Sequence, residues 1–153
     1  MNDLLNEIKN YFKIQEFVDK QTYEKWGENA WMFFDENLLK VILVLRKHIL
    51  KVPLVCNDWS FGGKNQQRGL RTNLSPLVKE KTDKGQLYLS AHLRGHAVDL
   101  VSSKMTAANM RKLILANQNE LPCKIRCEDG VSWLHIDTMP MINQKEKVYL
   151  FKG

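Results

Sequence analysis

The chain has 153 residues, enough for one domain with a substantial core and too few for a second of similar size. Lys and Arg outnumber Asp and Glu by 23 to 17, a formal charge of +6, so the surface favours polyanions such as nucleic acid, anionic lipid or an acidic wall polymer. No run of roughly eighteen apolar residues offers a membrane span, and "MNDLLNEIKNYF" carries acids and lacks the apolar stretch and cleavage site of a signal peptide.

"NDLLNEIKNYF" reads as a short opening helix and "KIQEFV", residues 13–18, as a strand. Residues 21–26 suit another turn of helix. "DENLLKVILVLRKHIL" is the strongest helix, with Asp35 as N-cap and Leu38, Val41, Ile42, Leu45 and Ile49 as its apolar stripe. His48, near its C-terminus where a cation is favoured, reads as a surface residue. "VPLVCN", residues 52–57, follows as a short buried strand. Residues 57–85 form a long polar segment, and a loop of that length in a compact domain is more often functional than idle.

"QLYLS", residues 86–90, reads as a strand leading to a turn, after which Ala97, Asp99 and Val101 alternate with Val98 and Leu100 on another. "TAANMRKLILANQN" is a helix capped by Thr106, with Met110, Leu113, Ile114 and Asn117 along one side. "CKIRCE", "SWLHID" and "KVYLF" supply three closing strands. Helices first and short strands later predict a single α+β domain over 1–153, its small sheet mainly antiparallel, with N-terminal and crossing helices. Cys56, Cys123 and Cys127 read as reduced, buried thiols; "CKIRC" invites a metal reading, but no second pair accompanies it.

Chemistry concentrates in "SAHLRGHAVDL", residues 90–100. Gly95 weakens a helix between His92 and Asp99, so a turn followed by a strand fits better and lets the two side chains converge. The missing partner is in "SWLHIDT", residues 132–138, where His135 and Asp137 share a strand face with Trp133. His92, Asp99 and His135 then make a two-histidine, one-carboxylate set. Zinc accepts these donors, and catalytic zinc sites use three protein ligands with water in the fourth position.

The pattern S-x-H-x-x-G-x-A-x-D, carried by Ser90, His92, Gly95, Ala97 and Asp99, resembles that of the D-alanyl-D-alanine carboxypeptidase/endopeptidase family of zinc peptidases. That family has the hedgehog/DD-peptidase fold and includes phage endolysins and murein endopeptidases. A chance match somewhere in 153 positions has odds on the order of one in twenty thousand, with each residue type at roughly one in twenty. W-x-H-x-D follows downstream, and "NDWSFGGKNQQRGLR" is similar to the family's loop that carries an arginine ahead of the first ligand. The resemblance covers about residues 53–138.

It implies that His92, Asp99 and His135 bind zinc, and that Arg71 polarises the scissile carbonyl or holds a substrate carboxylate, with Arg68 the second candidate. Gly62, Gly63 and Gly69 would let the loop bend close to the site. Many members carry Glu or Asp three residues before the last histidine as general base, where this chain has Ser132. "WLHIDT" looks more like the murein endopeptidase branch. Asp137 becomes the nearest candidate base, followed by Glu128 and Asp129. Ser90 would hydrogen-bond around the site, and Trp133 would meet substrate; Trp59 and Phe61 suit either a groove or the core. His96 reads as structural or surface.

The function expected from the resemblance is hydrolysis of peptidoglycan peptides at D-configured residues by a monomer that acts at the bacterial wall. Without a signal, it would reach the wall through a holin or lysis, as phage endolysins do, or on a virion. Nucleic acid is not an expected partner, since no helix is lined with Lys and Arg and no aromatic platform is interleaved with basic residues. The rival is a non-catalytic, metal-holding binding or structural protein on the same fold, for example a virion component, and Ser132 keeps it open.

Overall fold

Asp35 caps its helix as expected, its Oδ1 accepting the Leu38 N–H at 3.0 Å. That helix, α3 (Glu36–Val44), continues into a π turn, Leu45–Ile49. In the computed structural model, which describes residues 2–153, α1 (Asn2–Ile8) and α2 (Lys20–Trp26) precede it. Asp19 caps α2 by accepting the Thr22 N–H at 2.8 Å. Thr106 caps α5 (Ala107–Ala116) in the same way, through the Asn109 N–H at 3.3 Å.

Four strands, β1 (Ala97–Leu100), β2 (Ile125–Glu128), β3 (Leu134–Asp137) and β4 (Val148–Phe151), form one sheet in the order β1-β3-β2-β4. The domain is therefore α+β, as its element order predicts. The sheet is mixed: β3 runs antiparallel to β1 and β2, while β2 and β4 are parallel. Nothing in the composition of "KVYLF" marks that direction, because it depends on how the 139–147 connection is laid down.

One sheet face carries Val98, Leu100, Ile125, Cys127, Leu134 and Ile136, all buried in a single core with Leu38, Leu39, Ile42 and Leu45 of the α3 segment and with Met110 and Ile114 of α5. The opposite face carries Asp99, Arg126, Glu128, His135 and Asp137, and these line a cleft. Period-two alternation thus divides each strand into a packing half and a chemical half. Cys56 and Cys127 are buried free thiols, and Cys123 is half-buried.

Three expected strands are absent among the described residues. Residues 13–18 hold a 3-10 turn, Ile14–Glu16, closed by the Lys13 N–H donating to Glu16 Oε1 at 2.9 Å. Phe12, Ile14, Phe17 and Val18 are all buried, a spacing that the turn satisfies and strict strand alternation does not. Residues 52–57 contribute a single bridge, Val55 with Val101. Residues 86–90 pair with no strand, and Leu87 and Leu89 point outward at 86% and 83% exposure.

The long polar segment is partly helical. It contains α4 (Pro76–Asp83), which starts with proline after Ser75 and carries Lys79–Asp83 and Glu80–Lys84 pairs. No apolar stripe announces this helix, since only Val78 is buried. Among the described residues, no helix is long and apolar enough to cross a membrane.

Candidate metal centre

A local turn places one of the ligand candidates, and strand pairing places the other two. His92 lies in a 3-10 turn, Ala91–Arg94, that Ser90 caps by accepting the His92 N–H at 3.3 Å. Gly95 ends the turn at φ 68°, in the left-handed region, and a Cβ there would collide with the Phe33 carbonyl. This is why a small residue stands between His92 and Asp99: the chain must reverse against the segment before α3 and enter β1 at once. The Asp35 N–H donates to the Gly95 carbonyl at 3.0 Å and fixes that approach.

Sheet register brings in the other two. Asp99 and His135 are direct partners across β1 and β3, so their side chains project from the same face as neighbours. His135 Nδ1 lies 2.8 Å from Asp99 Oδ1, and His92 Nε2 lies 3.4 Å from the same oxygen. One ligand atom from each residue falls within 4.8 Å of the other two, and all three residues are buried. His92, Asp99 and His135 thus form a group that can hold a metal ion.

Protonation states support that capacity. His92 Nδ1 faces the Gly69 carbonyl at 2.8 Å. A carbonyl only accepts, so Nδ1–H donates to it, and Nε2 is the ring nitrogen left facing the Asp99 carboxylate. Position 69 holds glycine because a Cβ there would collide with the Phe17 carbonyl. His135 lies between two carboxylates, with Nε2 2.9 Å from Asp137 Oδ2. Burial opposes its charge, but hydrogen bonds to Asp137 and Asp99 and their charges outweigh burial and push its pKa up to about 9. Burial likewise works against the Asp99 carboxylate, yet hydrogen bonds from His135 and His92 hold its pKa well below the usual carboxylate range. The His135 Nδ1 proton is what a cation must displace.

Asp137 is fully buried at the end of β3. Its Oδ1 accepts Arg126 Nε–H at 2.7 Å and the Met139 N–H at 3.0 Å, while Oδ2 faces His135. Hydrogen bonds from His135 and Arg126 overcome the effect of burial and lower its pKa. Its place is behind His135, as the group that orients the ring.

The metal group opens onto a cleft of about 390 Å³. Arg71 lines it, with Nε–H donating to the Gln67 carbonyl at 2.8 Å, Nη1 to the Tyr88 hydroxyl and Nη2 to Asp99 Oδ2 at 3.3 Å. Arg68 does not line it: its Nη1 donates to the Cys56 carbonyl at 3.3 Å, and its own carbonyl accepts the Asp99 N–H at 2.7 Å. Arg68 serves the site through its backbone. Ser90 and Trp133 are on the wall of the cleft, while Trp59, Phe61, Gly62 and Gly63 lie outside it. His96 is half-buried, with Nδ1 3.3 Å from Thr138 Oγ1, and His48 is exposed.

Tyr88, Arg126 and Phe151 also line the cleft, and sequence reasoning did not select them. Arg126 becomes visible only through its pairing with Asp137 across β2 and β3, and Phe151 only through the parallel β4. Comparison of the chain with protein-family models, with curated proteins and with solved structures finds no match.

Proposed function

We propose that this chain is a zinc-dependent hydrolase of peptide amide bonds, acting on peptidoglycan peptides and related in fold to the hedgehog/DD-peptidase group. The observation that carries the reading is a buried two-histidine, one-carboxylate set at an open cleft beside an ordered arginine. Two imidazole nitrogens and one carboxylate oxygen suit zinc better than a hard cation, which prefers oxygen donors alone. Zinc bound there would supply a Lewis acid and lower the pKa of a water ligand to roughly 7.

The chain's own residues account for the rest. His92 and His135 present nitrogens fixed from behind by Gly69 and Asp137. Arg71 is anchored by Gln67, Tyr88 and Asp99, so its guanidinium enters the reaction already oriented. A fork held in this way stabilises negative charge developing on the carbonyl oxygen of a scissile amide. Trp133 and Ser90, both on the cleft wall, offer a flat apolar face and a hydroxyl to the substrate. Arg71 and Arg126 in the cleft, and the +6 charge of the chain, favour the carboxylates of wall peptides.

The test is metal content of the purified protein, followed by digestion of muropeptides read by mass spectrometry. One zinc per chain, lost in His92→Ala, Asp99→Ala and His135→Ala, is the expected result, together with cleavage of stem peptides. Stoichiometric zinc in the triple variant would place the metal elsewhere. Zinc-loaded protein that leaves every muropeptide intact across the pH range would favour the non-catalytic, metal-holding alternative, to which Ser132 points.

A further inference from the structure

Amide hydrolysis needs a group that takes a proton from water and returns it to the leaving amine. Ser132, at the position three before His135, is exposed and lies outside the cleft. Asp137 is fully buried, and its oxygens are committed to Arg126, Met139 and His135. A carboxylate so bound cannot reach water without breaking the support of His135. Asp129 is turned toward Arg111, 3.5 Å from its Nε, and is not part of the cleft wall.

Glu128 differs from each of them. It lines the cleft, as Ser132 and Asp129 do not, and it is half-buried where Asp137 is fully buried. Arg126 pairs with Asp137 and Cys127 with Ile136, so the next step of the same ladder sets Glu128 across from His135. Alternation along β2 puts Glu128 on the side of Arg126, the ligand face. On its other flank Glu128 pairs with Phe151 of β4, whose ring stands edge-on to His135 with centroids 5.7 Å apart. His135, Glu128 and Phe151 therefore form one row across three strands. Among the described residues, the Glu128 carboxylate enters no ion pair and no side-chain hydrogen bond, unlike Asp99 and Asp137. Gly153 closes over it, where a Cβ would collide with Oε1.

We propose that Glu128, supplied by the strand beside His135, is the general base and acid of the hydrolysis, in place of an acid at position 132. This assignment depends on the hydrolase reading above. Its carboxylate takes one proton from the attacking water as the new C–O bond forms. It then gives that proton to the amide nitrogen as the C–N bond breaks, leaving a carboxylic acid and an amine; the second proton of the water, carried by the new acid, passes to the amine to give carboxylate and ammonium.

The experiment compares wild type, Glu128→Gln, Glu128→Asp and the control Asp129→Asn by zinc titration, thermal unfolding and muropeptide hydrolysis. Glu128→Gln should bind zinc within about threefold of wild type, unfold at the same temperature, and hydrolyse about 10²–10⁴-fold more slowly. It should also lose the acidic limb of the pH–rate profile, which Glu128→Asp should retain. Asp129→Asn should match wild type. Hydrolysis by Glu128→Gln within about threefold of an active wild type overturns the assignment alone. A loss of zinc affinity of tenfold or more would make Glu128 a ligand or a support for one, which also overturns it. Inactive, zinc-loaded wild type removes the hydrolase reading and this assignment together.

Discussion

Asp99 touches both histidines and Arg71, so three basic side chains converge on one carboxylate. Removing a group behind such a cluster has a different signature from removing one in front of it. Asp137 is behind, on His135 Nε2, and Asp137→Asn should weaken zinc binding by about 10–100-fold, measured by competition with a chelator. Unchanged affinity with lost turnover would instead make Asp137 a reacting group. Arg71 is in front: on the hydrolase reading proposed above, Arg71→Ala should cut turnover by about 10²–10³-fold with zinc content intact, as loss of an oxyanion donor does. Arg68→Ala should do much less, because its side chain reaches the Cys56 carbonyl and its useful contact is a backbone one. Reversal of those two effects in steady-state kinetics would exchange their roles.

At the level of elements, the centre is a turn and two strands held in register. Asp99 opposes His135 only in the register observed, and a one-residue slip would turn one of the pair into the core. The turn depends on Gly95, which combines a positive φ with contact against Phe33 backbone. Gly95→Ala should therefore destabilise the protein by at least about 1–3 kcal/mol in denaturant unfolding. It should also move His92 and lower zinc affinity. A stable Gly95→Ala protein with full zinc affinity would show that the turn relaxes without cost to the site. Residues 86–90 are instructive for the opposite reason: they read as a strand in sequence but pair with no strand among the described residues. Tyr88 turns in to Arg71 while Leu87 and Leu89 face out.

Across the whole molecule, the buried charges couple stability to pH and to metal. His135 has a folded pKa raised from 6.5 to about 9, so in metal-free protein its contribution is full below about 6.5 and is lost as pH rises through about 9. Asp99 and Asp137 are lowered from 3.8, so theirs is present above that value and is lost as pH falls toward their folded pKa values. Chelator-treated protein should thus show its highest Tm between about pH 4 and 6.5, with an alkaline decline that His135→Phe abolishes. An alkaline slope of equal size in that variant would assign the decline to other groups. A metal held there would reverse the trend by displacing the His135 proton: on the zinc reading proposed above, affinity should rise with pH toward about 9. At a hundred times Kd, bound zinc should add about 2.7 kcal/mol of stability, seen as a rise in Tm.

Much of this protein is legible in its sequence. Asp35 and Thr106 mark helix starts through local hydrogen bonds that need no tertiary partner. The ligand residues are legible too, because a turn residue, a small residue and alternating strand positions leave His92, Asp99 and His135 facing one way. Tertiary structure decided what those residues stand beside. The parallel β4 and the β2–β3 register bring Arg126, Glu128 and Phe151 to the cleft, and long-range pairing leaves no local trace. It also separated the arginines and the carboxylates by role. Which of Arg71 and Arg68 enters the cleft, and whether Asp137 faces water or an arginine, depends on backbone contacts between distant segments. Side-chain chemistry is written locally; burial and partnership are set only when the chain has closed on itself.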